Sequence, residues 1–229
     1  MILHGYGAAI LSGAWLTLQL ALLSLALALV SGLIGATAKL SRSRWLNWPA
    51  TVYSTVLRGV PDLVMMLLVF YGGQVLVNEL TDAMDWEPFD LNPFVAGVLT
   101  IGFLFGAYFT ETFRGAFLAV PAGQLEAGQA YGMTRWQVFK RILFPQMLRF
   151  ALPGIGNNWL VLVKSTAIVS MIGLSDMNFV AETAGRTTHQ PFLFYMVVCF
   201  LYLMITGVSS WGLQRLEQKY SAGVRQNEF

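Results

Sequence analysis

The sequence predicts an all-helical membrane protein that crosses the bilayer five times, and three observations support this fold class. Of its 229 residues, 56% are hydrophobic and only 11% are charged, whereas soluble domains carry about 25% charged residues. The hydrophobic runs are continuous, as in membrane helices, and do not alternate as in membrane β-barrels. Basic residues are concentrated between particular runs, which is typical of a chain with several crossings.

The first hydrophobic run, from Gly13 to Ala38, contains no charged residue. At ~1.5 Å per residue it forms a helix of about 39 Å, which exceeds the ~30 Å hydrocarbon core. It is not preceded by the basic region of a signal peptide, so we expect a retained helix. By the same criteria, the five helices cover about residues 13–38, 60–79, 92–112, 147–164 and 191–213. Because no internal repeat or low-complexity segment divides the chain, residues 1–229 are expected to form a single domain.

The distribution of charge predicts the orientation of the helices. The segment from Glu79 to Asp90 holds acidic residues and no basic residue, so we place it outside. All 14 basic residues except Lys164 and Arg186 then lie on the inner side of the membrane, as the positive-inside rule requires. This arrangement predicts a periplasmic N-terminus and a cytoplasmic C-terminus.

The second run reaches membrane length only if it begins near residue 60, because the uncharged part starts at Leu63. Pro61 is suited to a first helical turn, and a carboxylate beside it is favoured by the helix dipole. We therefore expect Asp62 to lie at the inner edge of the hydrocarbon, facing protein or water. A lone carboxylate in a membrane segment is costly and indicates a functional residue.

The fourth run carries polar groups inside the membrane. Asn157, Asn158 and Trp159 follow one another in its middle, and Lys164 interrupts it. A transmembrane helix that ends near Lys164, followed by a shorter membrane-associated segment, fits this pattern better than one straight helix. The pattern leaves the role of Lys164 open.

A polar loop, residues 121–146, separates the third and fourth helices and has a helix–turn–helix pattern. Glu126, Ala127 and Ala130 suit a short helix with a small-residue face, which Gly132 ends. Thr134 occupies an N-cap position for a second helix. An apolar stripe follows it, and we expect Pro145 to stop that helix or bend it into the membrane.

The same loop resembles the EAA loop of bacterial ATP-binding-cassette importers, which has the pattern E-A-A-(3)-G-(9)-I-x-L-P. Gly128 and Phe144 depart mildly from the pattern. The resemblance implies that the loop docks into a cleft on a separate ATPase subunit. The alternative is an amphipathic surface loop with no partner. The residues that carry the match are Glu126, Ala127, Gly132, Ile142 and Pro145.

The resemblance extends over most of the chain. The stretches RGVPD at 58–62, AYFTETFRG at 107–115 and GQLEA at 123–127 are similar to the polar amino-acid branch of these importers. The residues of these stretches are most similar to those of the Q-type membrane subunits of histidine/lysine/arginine/ornithine importers. This implies the type I importer permease (MetI-like) fold in a bacterial inner membrane. It also implies import by alternating access, with a periplasmic amino-acid-binding protein that delivers the substrate.

The resemblance further implies that ATP and Mg are bound by partner ATPase subunits and not by this chain. The chain has no phosphate-binding loop, so we expect that it does not hydrolyse ATP itself and is a transporter subunit without catalytic residues or cofactor. We expect no metal site, because the sequence shows no carboxylate cluster that could form one. A membrane-embedded enzyme would need paired carboxylates or a comparable catalytic motif. A channel or self-sufficient carrier would not need a docking loop.

The substrate prediction depends on Asp62, because a carboxylate can bind a cationic side chain by charge-assisted hydrogen bonds. The alternatives are that Asp62 stabilises the helix dipole or pairs with Arg58. Asn158 and Trp159 are further candidates for substrate contact. We predict import of arginine, ornithine, lysine or histidine, and the alternative is a neutral polar amino acid such as glutamine. Related homodimeric permeases carry an acid near Asn158; its absence here favours a second, different permease subunit.

Overall fold

The computed structural model describes residues 3–221, and every regular element in that range is a helix. The helices, in chain order, are α1 Gly7–Leu40, α2 Arg44–Gly59, α3 Asp62–Ala83, α4 Pro93–Leu118, α5 Ala122–Ala130, α6 Arg135–Ile172, α7 Met177–Thr188 and α8 Pro191–Ser221. Within the described range, five of them are long and apolar enough to cross a membrane, namely α1, α3, α4, α6 and α8. The predicted number of transmembrane helices is therefore confirmed.

The predicted boundaries are too short at several ends. Helix α1 begins at Gly7, and α4 continues to Leu118 because uncharged or paired residues carry each helix beyond its most hydrophobic part. The largest difference is in α6, for which we predicted residues 147–164. It begins at Arg135 inside the polar loop and ends in a tighter 3₁₀ segment, Thr166–Ile172. The change to a 3₁₀ helix begins two residues after Lys164, where we had placed the end of the fourth transmembrane helix.

Helix α2 was not predicted as a separate element. It has 16 residues, too few to cross a membrane, and it packs on α1 and α4. The Tyr53 hydroxyl donates to the Phe103 carbonyl oxygen, and the Asn47 side chain donates to the Lys39 carbonyl oxygen. These bonds tie α2 to the middle of α4 and to the last turn of α1.

Helices α1 and α4 form the centre of the bundle. Gly32 and Gly35 face Phe109 and Thr110 so closely that an added Cβ at either glycine would overlap the neighbouring side chain. Small residues at such positions let two membrane helices approach, which maximises van der Waals contact. The core continues from α4 to α6, where Met147 and Leu162 are buried.

Candidate functional site

The polar loop folds as the predicted helix–turn–helix. Helix α5 ends at Ala130, and Gly132 follows with φ +82°, a backbone angle that side chains rarely adopt. Thr134 caps α6 in a reciprocal pair: its hydroxyl accepts from the Gln137 amide, and its own amide donates 2.9 Å to the Gln137 side chain. This capping box fixes the direction in which α6 starts.

The two arms of the loop pack through Gly128, one of the residues that depart from the EAA pattern. A Cβ at Gly128 would lie 2.6 Å from Cδ1 of Ile142 and 3.3 Å from Cγ2 of Val138. Glycine therefore lets Ile142 pack directly against the backbone of α5. Ile142 thus supports the loop from inside, whereas Glu126 and Ala127 are exposed on its outer surface.

Pro145 does not stop the helix, so the first of the two outcomes expected for it is wrong, whereas a bend at this position stays a prediction. Residues 135–172 form one continuous helical rod with a wider π-helical turn at Phe139–Leu143. Proline cannot donate a hydrogen bond to the carbonyl one turn earlier, and a π-helical turn directly before Pro145 accommodates the missing bond. The second arm of the loop and the transmembrane part of α6 therefore belong to one continuous helix.

The position of Asp62 along the bundle follows from the contacts of its own helix, which it begins. Gln74, 12 residues along α3, bonds with the carbonyl oxygen of Phe89 and the amide of Leu91 in the loop before α4. At ~1.5 Å per residue, Asp62 is about 18 Å along α3 from Gln74. Its position at the inner edge of the hydrocarbon stays a prediction.

The Asp62 carboxylate accepts a hydrogen bond of 3.1 Å from the Ser165 hydroxyl, at the end of the α-helical part of α6. Among residues 3–221 no cationic group lies within ion-pair distance of Asp62. The Arg58 guanidinium instead stacks 5.4 Å from the centre of the Tyr108 ring, so the alternative of an Arg58–Asp62 pair is not observed. Asp62 does lie in the first turn of α3, where the helix dipole favours a carboxylate.

Asn158 and Trp159 are adjacent in sequence but occupy different environments. The Asn158 amide donates 3.0 Å to the Thr112 hydroxyl and is half-buried. Trp159 is 8% exposed and lies in the core. Asn158 and Ser165 are seven residues apart, so they share a face of α6 with about 10 Å between them. The structure thus aligns Asn158 with the Asp62–Ser165 contact and directs Trp159 away from it.

A cluster of charges joins α1, α2 and α4. Arg114 Nε donates 2.9 Å to Glu111, which lies three residues earlier on α4. Sequence reasoning missed the other partner, because Lys39 also pairs with Glu111 and donates 2.9 Å to the Ser54 hydroxyl. Lys39 is 14% exposed and Glu111 21%, so both charges depend on each other for compensation.

Lys164 is exposed on α6 and lines a shallow cavity of about 300 Å³ against α8. Its neighbours there are Cys199, Tyr202, Leu203 and Thr206. Lys164 therefore points to a different side of α6 from the adjacent Ser165, which binds Asp62.

Comparison with known proteins identifies the family to which this chain belongs. Residues 24–221 match the family described as "Binding-protein-dependent transport system inner membrane component". The chain is 53% identical over 228 residues to the histidine/lysine/arginine/ornithine transport system permease protein HisQ of Escherichia coli, covering 100% of both chains. It is 37% identical to the arginine ABC transporter permease protein ArtQ of Escherichia coli, covering 90% of this chain and 92% of that protein.

A solved structure agrees with these relatives. A chain in the crystal structure of an amino acid ABC transporter with histidines superposes with a TM-score of 0.80 and 30% identity. The superposition covers 93% of this chain and 95% of that chain. The type I importer permease fold and the placement in an inner membrane are thereby confirmed. The chain belongs to the family of binding-protein-dependent transport system inner membrane components, as a permease subunit of an amino-acid ATP-binding-cassette importer.

Proposed function

We propose that this permease imports basic amino acids (arginine, ornithine, lysine and histidine) and that Asp62 binds the cationic side chain of the substrate. The observation that carries the proposal is a half-buried carboxylate in the first turn of the transmembrane helix α3, with one neutral hydrogen-bond donor, Ser165, and no cationic partner within residues 3–221. The names of the relatives HisQ and ArtQ, which refer to histidine, lysine, arginine and ornithine, support the same substrate class.

A carboxylate in a membrane-spanning helix is costly, and a single hydroxyl replaces little of its hydration. A guanidinium or ammonium group that reaches Asp62 replaces that hydration with charge-assisted hydrogen bonds. A neutral amide such as that of glutamine gains less, and an anionic side chain is repelled. The electrostatics at Asp62 therefore favour cations over the other amino-acid classes.

Asn158 is the second residue that we assign to the substrate path. It lies about 10 Å from Ser165 on the same face of α6, a separation comparable with the length of an extended arginine. Its amide is suited to the polar groups around the α-carbon of an amino acid. Trp159, which is buried behind this face, acts as a packing residue that holds Asn158 in place.

One permease subunit encloses only part of such a path, so a second permease subunit completes it. This chain offers a carboxylate on α3 and an amide on α6, and a partner that differs in sequence can supply a second acid opposite Asn158. We therefore propose a heterodimer, which works with two ATPase subunits and a periplasmic binding protein. The whole chain, residues 1–229, acts in it as one permease domain with a periplasmic N-terminus and a cytoplasmic C-terminus.

The polar loop couples this path to ATP hydrolysis, which the partner subunits carry out with their own ATP and Mg. Glu126 and Ala127 form the surface that contacts the ATPase, and Gly132 sets the turn. Ile142 and Pro145 connect that surface to the membrane part of α6. Movement of the loop then alternates access to the path by moving α6, which carries both Asn158 and Ser165.

The substrate assignment is tested by the ATPase activity of the complete complex in liposomes, stimulated by binding protein loaded with arginine, lysine, histidine or glutamine. Asp62→Asn is compared with Asp82→Asn, a matched change in the exposed last turn of α3. We expect Asp62→Asn to lose most of the stimulation by the cationic amino acids and to keep any response to glutamine. An equal response of both variants to every amino acid would contradict the role of Asp62.

The coupling assignment is tested separately with Glu126→Lys. We expect the variant to assemble in the membrane and to lose ATP-driven uptake, because the added positive charge disrupts the docking surface. Glu87→Lys, which makes the same charge change in the exposed loop before α4, is the control. Normal uptake by Glu126→Lys would show that this surface does not transmit ATP hydrolysis.

A further inference from the structure

The corner between α1 and α2 presents two arginines and two tryptophans on an otherwise unoccupied surface. Trp45 is 90% exposed and Trp48 is 70% exposed, although both belong to a helix that packs on the bundle through its other face. A cavity of about 900 Å³ opens between them. Its lining comprises Ser41, Arg42, Arg44, Trp45, Asn47, Trp48, Pro49 and Thr51.

The depth of this corner follows from the ion pair between Lys39 and Glu111. Glu111 is 18 residues from the start of α4 at Pro93, so it lies about 27 Å along that helix. This distance brings Lys39 to the edge of a ~30 Å hydrocarbon core. Arg42 and Arg44, which follow α1, therefore lie at the level of the lipid headgroups.

A second groove of about 450 Å³ adjoins this cavity and runs between α1 and α2. Trp45 and Pro49 line both spaces. Along α1 the groove extends from Ala38 to Ser31, about 10 Å toward the middle of the bilayer. Its remaining walls are mainly apolar and consist of Ile34, Gly35, Leu46, Ala50, Tyr53 and Phe103.

We propose that this corner binds one anionic phospholipid, whose phosphate contacts Arg42 and Arg44 and one of whose acyl chains fills the groove. Both charged residues that line the headgroup cavity are arginines, so the site is complementary to an anion. Tryptophan favours the boundary between headgroups and hydrocarbon. A phospholipid matches the order found here, with cationic groups at the membrane edge and an apolar groove directly beneath them.

The bound lipid would have a structural consequence for the proposed substrate path. The groove is half formed by α2, whose Ser54 and Arg58 contact Lys39 and Tyr108. Helix α2 leads directly into Asp62 through Val60 and Pro61. A lipid that holds α2 against α1 therefore also holds the start of α3.

The test uses the complete transporter complex in nanodiscs of phosphatidylcholine that contain increasing fractions of phosphatidylglycerol with brominated acyl chains. Brominated phosphatidylcholine serves as the neutral reference, and quenching of tryptophan fluorescence is measured. The signal of Trp45 and Trp48 is obtained as the difference from Trp45→Phe/Trp48→Phe in the same background. We expect half-maximal quenching at a roughly tenfold lower fraction of phosphatidylglycerol than of phosphatidylcholine.

Arg42→Gln/Arg44→Gln should abolish most of this tenfold preference. The matched control Arg215→Gln/Lys219→Gln removes two positive charges near the end of α8 and should retain it. Ala38→Phe should reduce quenching by filling the groove, whereas Val30→Phe, on an exposed part of α1 outside the groove, should not.

Three results would each overturn the proposal. Equal quenching by the two lipids would show an ordinary lipid boundary, and an unchanged preference in the Arg42/Arg44 variant would show that other charges attract the lipid. Absence of quenching of Trp45 and Trp48 by either lipid would show that another subunit covers this corner.

Discussion

Replacing Glu111 by glutamine should destabilise the bundle more than replacing either of its cationic partners. Glu111 contacts Lys39 through one carboxylate oxygen and Arg114 through the other, and Lys39 also bonds with Ser54. Glu111→Gln removes the only acidic partner of Lys39 among the described residues and leaves its ammonium group largely buried. Arg114→Gln removes a pair whose cation is 38% exposed and leaves the Lys39 contact intact.

The expected magnitudes follow from these exposures. Breaking a fully buried ion pair costs about 3–5 kcal/mol, and exposed pairs contribute about 0.2–1 kcal/mol. Because Lys39 is mostly but not fully buried, we expect Glu111→Gln to lower the free energy of unfolding by about 2 kcal/mol. Arg114→Gln should cost less than about 1 kcal/mol, in the range of helical i, i+3 pairs at a partly exposed position.

The assay determines the Tm of the detergent-purified complex. Samples are heated to increasing temperatures, and the fraction of intact complex is then measured by size-exclusion chromatography. For a chain of this size, a loss of about 2 kcal/mol corresponds to a decrease in Tm of about 4–8 °C. In Lys39→Met/Glu111→Gln the buried ammonium group is gone, so the double variant should be more stable than the sum of the single changes indicates. An equal decrease in Tm for Arg114→Gln and Glu111→Gln, or additive effects of the Lys39 and Glu111 changes, would contradict the dependence of the buried Lys39 ammonium group on Glu111.

Three further predictions concern single positions. Gly132→Val places a branched side chain at φ +82° and should reduce ATP-driven uptake by complexes that still assemble, measured in liposomes beside wild type. Gly35→Ala adds a methyl group against the buried Thr110 and should cost about 1–3 kcal/mol, whereas Gly115→Ala enters open space and should leave Tm unchanged. Burial raises the pKa of Asp176, so its ionisation destabilises the fold as pH rises from the ordinary Asp value through the raised one. Asp176→Asn should remove this part of the pH dependence of Tm.

The sequence predicted correctly those elements that are determined by residues close to one another along the chain. Gly132 and Thr134 define the turn in the polar loop through a left-handed backbone angle and a helix cap, and both effects act within a few residues. Helix α2 also has a local cause, since apolar residues recur along it with helical spacing. It was missed because it is shorter than a membrane crossing and follows the basic residues Arg42 and Arg44, which indicated a loop.

The contacts between distant residues could not be derived in this way. Ser165 and Asp62 are 103 residues apart, and Lys39 and Glu111 are 72 residues apart. Their pairing depends on how far α2 carries the chain back into the bundle, and spacing along the sequence does not encode that distance. For the same reason the sequence did not predict that Ser165 is the hydrogen-bond partner of Asp62. Trp159 shows the same limit, because neighbouring residues on a helix point in directions about 100° apart.

Helix α6 runs without interruption from Arg135 to Ile172, a distance of about 57 Å for 38 residues. Of its two changes of pitch, the π turn at Phe139–Leu143 lies close to the polar loop and the 3₁₀ segment Thr166–Ile172 lies at the other end. In the proposed coupling, the π turn is the pivot, and the part of α6 from Leu143 to Ser165 measures about 33 Å. A tilt of about 10° about the π turn displaces Ser165 by about 6 Å, which is about the length of one helical turn. A small rotation at the loop end of α6 is thus geometrically sufficient to separate Ser165 from Asp62.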